Sequence, residues 1–439
     1  MKKRYESAKI IKAVLKASDP SLTVLRAVQA LQPCAGRTLL LAVGKAAVKM
    51  AAAALRVPGF SMEQGLAVTK YGHSDPTVLA AMPEEHRRLL RIREAGHPIA
   101  DGNSYAAAEE AIAMVQGLSK EDRVLLLLSG GGSALFEKPL LPPEEMADIN
   151  RQLLSCGAKI SEINTIRKRL SRVKGGRFAE LCAPAQVVTI ALSDVLSDDP
   201  SSIASGPACP DPTTCAEAIS IVERYGLQLG SRALSLLATE TPKDLPNASV
   251  QVVGGMRIAR AAAAGACEKL GYPVKVFIPA LTGEAAAAGR FFGALARKAR
   301  REKRTVAIVA GGETVVRLGN EHGLGGRNQE AALAAVPLLR GLCECCFFSL
   351  GTDGTDGPTD AAGGYADGQT ARRLATCGTA PADALRRHDA YHALQSVKGL
   401  LFTGPTGTNV NDICVLLVGG GSSRSGQTGE KQREFRRKH

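Results

Sequence analysis

The chain contains no tryptophan, and aromatic residues make up only 4% of its 439 positions. That scarcity argues against a stacking platform for single-stranded nucleic acid, which needs ring faces for the bases. No apolar run reaches the roughly 18–20 residues that span a bilayer. The opening MKKRYESAKIIKAVLKASDP lacks the continuous apolar core of a secretory leader. It patterns instead as a basic amphipathic helix, in which Glu6 and Asp19 weigh against an organellar transit role. Among the eleven cysteines the CxxC spacing occurs once, Cys343 to Cys346, within the densest group, Cys343, Cys345 and Cys346, which runs into the apolar CCFFSL. Such spacing suits buried thiols in a reducing compartment, and cytoplasmic location is the expectation. Neither GxxxxGK[ST] nor GxGxxG occurs, which disfavours a P-loop kinase and a standard dinucleotide site; GxSxG and HExxH are missing as well.

What is present is an ordinary globular balance, 45% hydrophobic and 22% charged, in a chain too long for one core. Short apolar runs recur: TLLLAV (38–43), GLAVTK (65–70), RVLLLL (123–128), AQVVTIAL (185–192), TVAIVA (305–310), CCFFSL (345–350) and ICVLLV (413–418). Ala-rich helical patterns at 46–55, 104–118 and 259–271 lie between them. Continuous apolar strands suit a parallel sheet covered on both faces, and their alternation with helices argues for doubly wound α/β architecture. Two α/β domains are expected, the first Rossmann-like and mostly parallel with flanking helices, the second smaller. The polar ATETPKDLPNAS (238–249) marks the boundary, giving domains over 1–238 and 239–420, with a flexible basic tail over 421–439.

The net charge of +13 is concentrated in three places. Residues 297–304 carry six Lys/Arg against Glu302, residues 421–439 carry six against Glu430 and Glu434, and residues 167–177 carry six with no acid. The first two read as a solvated helix end and a frayed tail, so neither nucleic acid nor membrane is an expected partner.

Ligands of open α/β sheets bind beyond the carboxyl ends of the strands, and the loops there are rich in chemistry. Ser129-Gly130-Gly131-Gly132-Ser133 offers backbone N–H groups and hydroxyls to a phosphate or carboxylate, helped by a helix if one starts at Ser133, or else is a tight turn. Lys45 follows TLLLAV, where a lysine either snorkels to solvent or stabilises a phosphoryl group in transfer. Ser193-Asp194 follows AQVVTIAL, and Glu313 follows TVAIVA. Arg327 and Asn328 stand between glycines and the helical EAALAAVPLL, a placement that suits bidentate anion binding by the guanidinium. In GTDGTDGPTD, Asp353, Asp356 and Asp360 are either Mg²⁺ ligands or turn formers. TGPTGTNVND (403–412), with Asn409, either holds a substrate or closes a turn.

Taken together, VGKAAVKMA, TKYGHSDP, EAGHPIADGNS, LLLLSGGGSALFEKP, SEINTIRKRLSRVKGGRFAE, LSDVLSDDPSSIASGPACPDPTT, AGGETVVRLGNEHGLGGRNQEAALA, LGTDGTDGPTDAAGGYADG and TGPTGTNVNDICVLLVG resemble the class II glycerate kinases, the glycerate 2-kinases, whose second domain is called MOFRL. The resemblance covers nearly the whole chain except the basic tail. It implies ATP-dependent phosphorylation of D-glycerate, giving 2-phosphoglycerate, with Mg²⁺ and an active site in a cleft between the domains. It also implies Lys45 and Arg327 as catalytic residues, able to clamp the transferring phosphoryl group. Two positions depart from the pattern: Arg169 stands where histidine is common, and Ser197 where glycine is common. Asp194 is the candidate base or second ligand, and Asp353 and Asp356 are the candidate metal ligands. Ser129, Gly130, Gly131, Gly132, Ser133, Glu313, Asn328 and Asn409 are candidate nucleotide or substrate contacts. A homo-oligomer is left open. Two rivals remain, an NAD(P)H-dependent hydroxypyruvate reductase and a non-catalytic phosphosugar-binding module; the missing GxGxxG counts against the first, and the Lys45–Arg327 pairing against the second.

Overall fold

The computed structural model describes residues 2–195, 199–277 and 280–419. The expected basic tail over 421–439 and the departure at Ser197 lie outside the described residues. The chain divides into two compact units, one comprising Val14–Ala261 with Pro405–Asn411, the other Met1–Ala13, Ala262–Gly404 and the chain from Asp412 onward.

The first unit is built on β1 (Thr38–Val43), β2 (Gln64–Lys70), β3 (Leu90–Ala95), β4 (Arg123–Leu128), β5 (Gln186–Leu192) and β6 (Ala248–Gly254). Their order in the sheet is β3-β2-β1-β4-β5-β6, and every pairing is parallel. The apolar runs follow from this layout. Leu39, Leu41, Val43, Val124, Leu126 and Leu128 face one core with the helix Gly102–Met114. Leu40, Ala42, Leu125 and Leu127 face a second core with the helices Pro20–Gln29 and Ala47–Leu55. Because β6 pairs with β5, the polar stretch expected as a boundary leads into a strand of this unit, whose compact grouping runs on to Ala261. Polarity and prolines mark an exposed connection equally well inside a domain and between domains. Four further helices, Pro143–Ser155, Ile160–Arg169, Cys215–Tyr225 and Ser231–Leu237, share a separate core through Leu153, Ile166, Ile221 and Leu237.

The second unit contains β7 (Val274–Val276), β8 (Val306–Gly312), β9 (Cys345–Gly351), β10 (Gly363–Asp367), β11 (Leu400–Leu401) and β12 (Asp412–Val418), in the order β11-β10-β9-β12-β8-β7. Only β7 and β8 run parallel; β12 is antiparallel to both of its neighbours. The unbroken apolar character of CCFFSL and ICVLLV therefore reflects central position rather than parallel pairing. Every residue of β9 and β12 is buried. The helix Arg327–Leu339 lies in this core almost entirely buried, and Phe292 stacks on Phe347 at 4.9 Å between centroids. The basic segment at 297–304 is the exposed end of the helix Ala285–Arg301, where cations complement the helix dipole.

Candidate functional site

In the parallel sheet the connections reverse direction between β1 and β4, and their carboxyl ends form the switch point at which such sheets bind ligands. Gly44 and Lys45 leave β1 there, and residues 129–133 leave β4. The two turns are tied together, since Lys45 N donates to the Gly130 carbonyl (2.9 Å) and Ala46 N to Ser129 Oγ (3.1 Å). Ser129 is buried, so its hydroxyl serves this junction and is not offered to a ligand. Ser133 Oγ instead meets Ser205 Oγ at 2.8 Å. Ala204 and Ser205 both have positive φ (50° and 61°), a conformation uncommon for residues with a side chain and one that clusters at functional sites.

The glycines of this loop make room for particular neighbours. A Cβ on Gly130 would collide with the Asp194 carboxylate. Gly131 has φ +87°, and a Cβ there would lie 3.0 Å from His97 Cδ2, 3.1 Å from His97 Nε2 and 3.4 Å from Lys45 Cε. Lys45, His97 and Asp194 are thus brought together around bare backbone. The helix after the loop starts at Gly132 and ends at Leu135, one turn only, so the expected helix field is small and the loop's own amides make the cradle. Burial, then Lys45, Lys70 and His73, depress the pKa of His97 below the ordinary histidine range.

Residues Pro405–Asn411 belong to the same unit. Asn411 Nδ2 donates to the Asp194 carbonyl at 2.9 Å, and Gly407 makes room for the Lys49 ammonium. Asn409, the asparagine expected from the sequence, is exposed and accepts from Asn411 N (3.0 Å), a local turn contact. The cationic run at 167–177 is mostly internal. Lys168 pairs with Asp211 at 3.1 Å, and Lys174 pairs with Glu137. Arg169, where the family pattern has histidine, is 0% exposed and reaches Thr213 Oγ1 (2.9 Å) and Glu240 (3.1 Å). Its charge is spent within the fold.

The second unit holds the other candidates. Arg327 opens the helix Arg327–Leu339, with Nε 2.6 Å and Nη2 3.1 Å from the two Asp412 oxygens and Nη1 3.2 Å from exposed Glu313. The bidentate edge expected for an anion is therefore occupied by Asp412, which leaves one N–H on each Nη for other partners. Burial alone would lower the guanidinium pKa, but the Asp412 contact outweighs it and keeps Arg327 charged. Asn328 is buried rather than ligand-facing: its Nδ2 donates to Asp356 and its Oδ1 accepts from Ser349.

Asp356 caps this helix. Its Oδ1 accepts from Asn328 N and Nδ2, both at 3.1 Å, and its Oδ2 accepts from Gln329 N at 2.8 Å. Burial pushes its carboxyl up to about 6 despite these donors. Asp353 accepts from Thr355 N at 3.1 Å in a turn. A Mg²⁺ ligand needs carboxylate lone pairs that are not already taken by N–H groups. Among the described residues no group of three His, Cys, Asp or Glu is arranged to hold a metal ion. Asp356, whose two oxygens accept three donors, serves as a helix cap, whereas Asp353 accepts one N–H and keeps lone pairs that a cation could use.

Sequence reasoning missed His97, Ser205, Asn411 and Asp412. His97 lies in EAGHP directly after β3, so the rule that sends ligands to strand ends would have found it. Asn411 and Asp412 depend on contacts distant in sequence and left no local signal.

A family model described as "Domain of unknown function (DUF4147)" matches residues 6–238, and the "MOFRL family" model matches residues 306–412. A "D-glycerate 2-kinase" of Thermotoga maritima is 43% identical over 93% of this chain and 97% of its own length. The crystal structure of a Thermotoga maritima glycerate kinase superposes with a TM-score of 0.87 at 42% identity, covering 94% of this chain and 99% of that one. An Agrobacterium vitis protein, provisionally named hydroxypyruvate reductase, is 39% identical over 94% of this chain and 93% of its own.

Proposed function

Because this chain belongs to the glycerate kinase family with a C-terminal MOFRL domain, we propose that it transfers the γ-phosphoryl group of ATP to D-glycerate, giving 2-phosphoglycerate and ADP. The observation that carries this reading is the placement of Lys45 against the glycine loop at the switch point, with its Cε beside Gly131 and its N–H on the Gly130 carbonyl. Phosphoryl transfer asks a protein mainly for positioning and for stabilisation of charge on the transferred group. Lys45 supplies a point charge and the loop amides supply fixed donors; in the second unit, Arg327 keeps two N–H groups beyond those engaged by Asp412 and Glu313. Asp194, packed on Gly130, orients the loop. Mg²⁺ enters as part of the substrate Mg·ATP rather than as a resident ion. All eleven cysteines are unpaired, which fits a reducing compartment such as the cytoplasm.

The provisional reductase name of one relative motivates the alternative, hydride transfer to hydroxypyruvate. The first strand-to-helix turn here reads Gly44-Lys45-Ala46 and lacks the glycine pattern that admits a pyrophosphate. A parallel assay separates the two. The kinase reading expects D-glycerate-dependent ADP release from Mg·ATP and no NADH oxidation with hydroxypyruvate. The reverse result would assign the reductase.

A further inference from the structure

We propose that His97 accepts the proton of the glycerate hydroxyl as that hydroxyl attacks the γ-phosphorus, an inference that rests on the kinase reading above. The imidazole and the Lys45 side chain both pack against Gly131 where a side chain would stand, with His97 Nε2 3.1 Å and Lys45 Cε 3.4 Å from that Cβ position, so the two functional groups are neighbours over the loop. His86, His322, His388 and His392 each have a ring nitrogen engaged with a carbonyl or carboxylate. The His97 ring has no hydrogen-bond partner among the described residues, so it is available to a substrate.

The groups facing His97 favour a neutral imidazole. Lys45 approaches from the turn after β1, and Lys70 and His73 from the end of β2 and the turn that follows. The two nearest carboxylates along the chain are both committed: Glu94 accepts from Gly72 N and Ser74 N at 3.1 and 3.2 Å, and Asp101 from Tyr71 and Ser104 at 2.7 and 2.9 Å. Partial burial acts in the same direction as the cations. A histidine that is neutral near pH 7 has a lone pair to offer, the state a general base needs.

The step balances. The hydroxyl O–H bond breaks, and its electron pair allows the oxygen to bond to the γ-phosphorus. The bond from that phosphorus to the β,γ-bridging oxygen breaks, and its pair leaves with ADP. The proton resides on His97 and passes to solvent once product departs. Asp194, the other candidate, packs its carboxylate on Gly130 and its carbonyl accepts from Asn411, which suits positioning of the loop.

The test compares the wild type with His97→Gln, which keeps hydrogen bonding but does not titrate in this range, and with His97→Asn as a second variant if the first does not fold. The wild type should lose kcat on the acid side as His97 protonates. The variant should lose kcat by about 10²- to 10⁴-fold, keep KM for Mg·ATP within a few-fold, and lack the acid limb. A variant that retains the same acid limb or near-wild-type kcat overturns the assignment. Wild type inert toward D-glycerate but active in NADH oxidation instead sinks the kinase reading itself. Independently, the NMR titration midpoint of His97 should rise in Lys45→Met as the facing ammonium is lost. An unchanged midpoint contradicts the proposed juxtaposition.

Discussion

An ammonium and a guanidinium stabilise an anion differently, and their surroundings here sharpen the contrast. Lys45 has no carboxylate partner among the described residues, whereas Arg327 is fixed on Asp412 and Glu313. Lys45→Met should therefore lower kcat by roughly 10²- to 10³-fold, the cost of one transition-state donor, with little change in Tm. Arg327→Ala should lower kcat and also Tm, because it leaves Asp412 buried without its countercharge. Equal thermal stability of the two variants would contradict this distinction. Asp356 gives a pH signature. Its folded pKa of about 6 lies above the unfolded value near 3.9, so the folded state binds the proton more tightly. Its contribution is complete below about pH 4 and is lost as pH rises through 6, a change of about 3 kcal/mol. Urea unfolding of Asp356→Asn should give a less stable protein that lacks this component of the pH dependence. A pH dependence parallel to wild type would refute it.

At the scale of elements, the 129–133 loop concentrates the constraints. Gly130→Ala drives a methyl into the Asp194 carboxylate, and Gly131→Ala adds one where φ is +87° and His97 is close. Both should reduce activity far more than Ser133→Ala, which removes only the contact to Ser205; initial rates on folded variants decide this. Comparable losses in all three would mean that the loop does not form the cradle. The central strands were legible because both faces of β1 and β4 are covered, so every residue is buried and all but Thr38 and Arg123 are apolar. Edge strand β3, Leu90–Ala95, was not, since Arg91 and Arg93 face solvent and break the run. The direction of β12 was also hidden. A strand buried on both faces reads the same in parallel and antiparallel sheets.

At the scale of the whole molecule, residue types and strand ends carried the reading, and long-range contacts limited it. Composition located the charge without saying whether it faces water: Lys168, Arg169 and Lys174 in the densest internal run are buried against Asp211, Glu240 and Glu137. The assignment of Pro405–Asn411 to the parallel-sheet unit was invisible for a similar reason: a loop's composition does not say which neighbour it packs on. Lys45, the glycine loop and Asp194 could be singled out because strand ends converge at a switch point that alternation alone predicts. The central claim is phosphorylation of D-glycerate at the 2-position. The direct measurement supplies Mg·ATP and D-glycerate with enolase, pyruvate kinase and lactate dehydrogenase, and omits phosphoglycerate mutase. NADH loss that requires glycerate is the predicted result. NADH loss seen only after mutase is added would mean the 3-position, and silence in both with folded protein would contradict the account.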